Sequence, residues 1–92
     1  MNIKESLLKG TEIQKIDVEL KNIPFNVYLK HTGDILRLCF FEDEDIETLI
    51  VSETTMHGTE EIRIIPKQNI EYIGIFYDWT SLEPKMRDKM II

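Results

Sequence analysis

Between Ile23 and Ile75 apolar residues recur at alternate positions in short runs, and each run stops at a turn signal. Period two puts successive side chains on opposite faces of a pleated strand, so this stretch predicts sheet and not helix. Pro24 removes a backbone donor and holds Ile23 extended. Phe25, Val27 and Leu29 then alternate with Asn26, Tyr28 and Lys30 as a first strand, and His31-Thr32-Gly33-Asp34 turns the chain. Ile35 to Phe41 is a second strand, apolar on both sides with Arg37 its one charge, as expected of a strand bent around a core. Glu42-Asp43-Glu44-Asp45 reads as the next turn and Thr48 to Ser52 as the third strand. A loop around Gly58 leads to a fourth strand, Glu61 to Ile65. Pro66-Lys67-Gln68-Asn69 separates it from a fifth, Ile70 to Tyr77. Short turns without crossover helices make this an antiparallel meander. At this length it is expected to close into a small five-stranded, strongly bent antiparallel barrel over residues 23–77.

The flanks carry different patterns. Ile3, Leu7 and Leu8 predict a short helix over 1–10, with Gly10 as its stop. Ile16, Val18 and Leu20 alternate with Asp17, Glu19 and Lys21, which predicts a half-exposed extended segment from Glu12 to Leu20. Thr80-Ser81-Leu82-Glu83 has the form of a capping box, and Leu82, Met86 and Met90 follow at spacing four. A C-terminal helix is therefore expected over 80–91.

With 92 residues the chain is expected to be a single domain, 1–92. A domain this small buries only about 60–65% of its unfolded surface, so association that hides further apolar area would stabilise it. The net charge is −6, with 17 acidic against 11 basic residues, which opposes general attraction to phosphate. Cys39 is the one cysteine and sits in an apolar run, where it reads as a small buried hydrophobe. No apolar run is long enough for a membrane span, and the expected setting is the cytoplasm. His31 and His57 lie in separate turns without metal spacing, and no serine or cysteine has a nucleophile's flanking pattern. Neither a metal, a cofactor nor an enzymatic activity is expected. The five carboxylates among residues 42–47 lack the spacing of a calcium loop and read as a solvated turn.

Ile23-Pro24-Phe25-Asn26-Val27-Tyr28-Leu29-Lys30 resembles the first strand of Sm-like proteins, including their bacterial host-factor branch. Ile64-Ile65-Pro66-Lys67-Gln68-Asn69-Ile70-Glu71-Tyr72-Ile73 is similar to the family's second motif, and Leu49-Ile50-Val51 sits where its third strand is apolar. The resemblance implies a ring of copies in which strand four of one pairs with strand five of the next. It also implies that single-stranded RNA, or DNA, binds through the loops after strands two and four. The residues carried over for that role are Ile46, Thr48, Lys67, Gln68 and Asn69; a one-residue shift would replace the first two with Asp45 and Glu47. Several positions depart from the family. Pro66-Lys67 replaces its Arg-Gly pair, the base-reading Asn is missing, strand two lacks its Gly, and the acidic run falls where RNA would enter.

Self-association is expected on physical grounds as well, because a terminal strand this apolar is an aggregation template unless covered. Ile62, Ile64, Tyr72, Ile73, Ile75 and Phe76 are the expected interface of a closed homo-oligomer of five to seven copies. The functional expectation is a nucleic-acid-binding Sm-like ring with RNA preferred; the alternative is an acidic protein-interaction or structural ring that binds no nucleic acid.

Overall fold

The alternation resolves into five strands, all paired antiparallel, in a computed structural model that describes residues 2–15, 17–55 and 57–75. They are β1 (Phe25–Leu29), β2 (Ile35–Glu44), β3 (Thr48–Thr54), β4 (Glu60–Pro66) and β5 (Ile70–Ile75). The order across the sheet is β4-β3-β2-β1-β5, so β4 and β5 are its two edges. Residues from both edge strands, Ile65 and Ile70, join Phe25, Val27, Leu49 and Val51 in one buried cluster. The sheet therefore curls round a single core. It does not close: β4 and β5 share no ladder, where the sequence led us to expect a barrel. The expected C-terminal helix over 80–91 and residues Phe76 and Tyr77 lie outside the described residues.

The curl depends on a break in phase within β2. Phe25 pairs with Cys39 and Val27 with Leu36, so three residues of β2 advance against two of β1. The extra residue is accommodated by a left-handed backbone at Leu38, φ 55°. The bulge lets Leu36 on one side of it and Cys39 on the other both face the core. This explains a strand that looked apolar on both sides. Leu38 occupies the conformation without glycine's freedom, at a cost of roughly 1–2 kcal/mol. Asn26 compensates from β1: its buried side-chain oxygen accepts the Leu38 N–H at 3.1 Å. Asn26→Ala would orphan the N–H of the strained residue itself. The expected loss is about 1–2 kcal/mol, read as a lower denaturant midpoint at unchanged slope.

The N-terminal helix α1 spans Ile3–Gln14 and runs through Gly10. Its buried stripe is Ile3, Leu7 and Thr11, at spacing four, while Leu8 is exposed. The Thr11 hydroxyl donates back to Leu8 O at 2.9 Å, which satisfies its polarity inside the packing. The helix stops at Lys15, whose φ of 58° makes the left-handed cap that we expected Gly10 to supply. The extended segment expected from Glu12 is thus helical as far as Gln14, and Leu20–Asn22 forms a single 3-10 turn. Gly10 has a packing role instead, because a Cβ there would run into the Cδ1 of Ile75 on β5.

Candidate functional site

The acidic run is not a free turn. β2 continues through Glu44, and the turn proper is residues 45–47. Asp45 builds it: its Oδ1 accepts the N–H groups of Glu47 at 2.8 Å and Thr48 at 2.7 Å. Asp43 Oδ1 accepts the Glu44 N–H at 2.8 Å. Two of the carboxylates are thereby spent on backbone, as short polar side chains commonly are at turns.

Glu44 is spent on tertiary structure. Its Oε2 accepts the Ile3 N–H at 3.0 Å and its Oε1 the Lys4 N–H at 2.8 Å, so a strand side chain caps the start of α1. Asn2 accepts the next N–H, from Glu5, at 3.0 Å. An anion fits that helix end because the unpaired N–H groups and the helix dipole both favour negative charge. On its other side Glu44 Oε2 meets the Lys67 ammonium at 2.7 Å, with only 10% of the Lys67 side chain and 12% of the Glu44 side chain exposed. Burial pushes the Glu44 carboxyl up. The Lys67 hydrogen bond and charge, together with the N–H groups of Lys4 and Ile3, outweigh that and hold it below its ordinary value.

The residues expected to contact nucleic acid are brought together only in part. Lys67 donates its backbone N–H to Glu47 O at 2.7 Å, and Thr48 pairs with Pro66. The β2–β3 turn and the 3-10 turn Lys67–Asn69 therefore lie side by side. Ile46 projects from the first with 93% of its surface exposed, and Gln68 is exposed on the second. Asn69 is half-buried and accepts the Lys30 N–H through its carbonyl at 2.8 Å. Lys67, the one cation of the set, has its ammonium turned inward to Glu44. Arg63 on neighbouring β4 is held by Glu53 at 3.3 Å and Glu61 at 3.4 Å.

The expected interface residues divide into two groups. Ile62 and Ile64 stand out from edge strand β4 with 55% and 70% exposure, and Tyr72 from β5 with 51%. Tyr72 stacks on Tyr28 at 4.3 Å between ring centres. Ile73 and Ile75 turn inward and pack against the core of their own chain, so they are not a free surface. Where β4 curls towards the start of β2, Leu29, Ile35, Ile64 and Pro66 line part of an open cleft of about 490 Å³.

Cys39 is fully buried, and burial, followed by the charge of Glu53, pushes its thiol up to about 12 although Arg63 pulls the other way. Among the described residues no three His, Cys, Asp or Glu side chains form a group able to hold a metal, and no helix is long and apolar enough to cross a membrane. No protein-family model, curated protein or solved structure matches the chain.

The role of Glu44 was missed in the sequence because its partners lie about 40 residues to one side and 23 to the other. One local signal was available. Asn2 followed by Glu5 is the start of a capped helix, and it marks an N-terminus in want of anions.

Proposed function

We propose that the chain is the subunit of an Sm-like homo-oligomeric ring that acts as a protein-interaction scaffold and not through nucleic acid. The observation that carries this is the strand order, which leaves β4 and β5 as unpaired edges. Those are the two strands that an Sm-like ring joins between neighbours. Exposed Ile62 and Ile64 on one edge and Tyr72 on the other give each a reason to be covered. Neighbouring copies would complete the open seam, and the curled sheet would then serve as the family's bent barrel.

Charge argues for a protein partner. Lys67 and Arg63 are both neutralised within the chain, and the net charge is −6. Phosphate contacts need free Lys or Arg, because displaced counterions supply most of the affinity. A basic protein surface suits the exposed carboxylates better.

Nucleic-acid binding is the second reading. It is favoured by the bond between Lys67 N and Glu47 O, which sets the two candidate loops together at one end of the molecule. Size-exclusion chromatography with light scattering, paired with fluorescence anisotropy on U-rich and A-rich oligonucleotides, separates the alternatives. The expected result is a homo-oligomer of five to seven copies at micromolar concentration, with no oligonucleotide binding even at low salt. A folded monomer would overturn the ring, and saturable, salt-sensitive binding would overturn the protein-only reading.

A further inference from the structure

Helix α1 is tied to β5 at the strand's far end and to the turn that precedes it. In that turn the tie runs through Glu44, whose Oε2 takes both the Ile3 N–H and the ammonium of Lys67, which directly follows Pro66 of β4 and stands three residues before Ile70. At the far end Gly10 lies directly on Ile75. Glu44 itself stands on β2, which is laddered on both sides and gives the tie a fixed anchor. β5 has only one ladder, to β1. We propose that α1 is a strap packed on the core-facing side of β5, which leaves the strand's edge free, that it is pinned by the Glu44 carboxylate, and that helix and strand are released together.

The coupling comes from sharing one carboxylate. While α1 is in place, Glu44 and Lys67 are shielded from water, which strengthens their attraction. If α1 leaves, the pair becomes an exposed ion pair of little value, and the turn leading into β5 keeps its backbone bonds to Glu47 and Lys30 but loses a side-chain tether. If the Lys67 charge is lost, a carboxylate with 12% exposure keeps only the helix N–H groups as partners, and water entering to solvate it opens the helix end. Each contact therefore raises the worth of the other. A partner that lifts α1 from the sheet would also loosen the edge strand. The strap holds whether or not copies of the chain assemble.

Amide hydrogen exchange followed by mass spectrometry on the full chain tests this. Lys67→Met is expected to speed exchange in both 5–14 and 70–75 by a similar factor, about tenfold or more, while 39–52 stays within about twofold of the unmodified protein. Lys67→Arg, which keeps the charge, should leave both segments near their original rates. Asn2→Ala disturbs the helix from its own cap without touching Glu44 or Lys67, and it too should speed exchange in 70–75. The proposal is overturned if Lys67→Met leaves 5–14 unchanged, if Asn2→Ala loosens the helix alone, or if 39–52 rises as much as the two strapped segments.

Discussion

Glu44→Ala is expected to destabilise the fold by about 3 kcal/mol and to lower its thermal midpoint by on the order of 15 °C. The change strips a partner from a lysine ammonium that is only 10% exposed and uncaps the N–H groups of Ile3 and Lys4. Both side chains are half-buried, so removing one leaves the other partly desolvated with one partner fewer, which costs more than the pair contributes. The effect should depend on pH in a defined direction. Folding lowers the Glu44 carboxyl below its ordinary value: burial opposes this, and the Lys67 hydrogen bond and the helix N–H groups prevail. A carboxyl depressed by folding stabilises above its unfolded value, about 4.3, and that contribution disappears as pH falls through the folded value. Thermal melts across about pH 3 to 7 should therefore show the unmodified protein and Glu44→Ala converging in acid and separating towards neutrality. A gap that stays constant over that range would mean that the carboxylate's charge is not what holds the helix.

Glu44 also shows where sequence reasoning stops. Strand positions were legible because a half-buried strand writes its pattern locally: β1, β3 and β5 begin where Phe25, Thr48 and Ile70 begin their alternations. The phase change at Leu38 was not legible, since a left-handed leucine leaves no mark of the kind that glycine would. It depends on Asn26 in another strand. Nor could the helix length be read, because Gly10 signals a stop in isolation but a close approach when Ile75 lies above it. The partners of the acidic run were illegible for the same reason. Five carboxylates among residues 42–47 read as one solvated turn, whereas Asp43 and Asp45 bind local backbone and Glu44 binds a helix end and a lysine. Lys67 stood out as a cation in a loop, and nothing near it in sequence announces that its charge is already matched.

Ile62→Lys combined with Ile64→Lys is expected to abolish the proposed assembly and leave the subunit folded. Both side chains project from the same side of edge strand β4, with 55% and 70% of their surface already in water, so lysine there costs the single chain little. Lysine on an edge strand is also a common guard against strand pairing. In a β4–β5 contact the two isoleucines would be buried, worth roughly 1.5–3 kcal/mol each, and two ammonium groups would have to be desolvated in their place. Losing about 3–5 kcal/mol at every contact weakens each by about a hundredfold or more, and a closed ring multiplies that loss over all its joints. Ile75→Asp makes the contrast: Ile75 packs on the core and against Gly10, so a carboxylate there should unfold the subunit and not merely separate copies. Light scattering at micromolar concentration should report a single-chain mass for the double lysine variant, with a circular dichroism spectrum matching the unmodified protein. If the double variant keeps the unmodified protein's oligomeric mass, β4 is not the edge through which copies join, and the scaffold would have to be built from another surface.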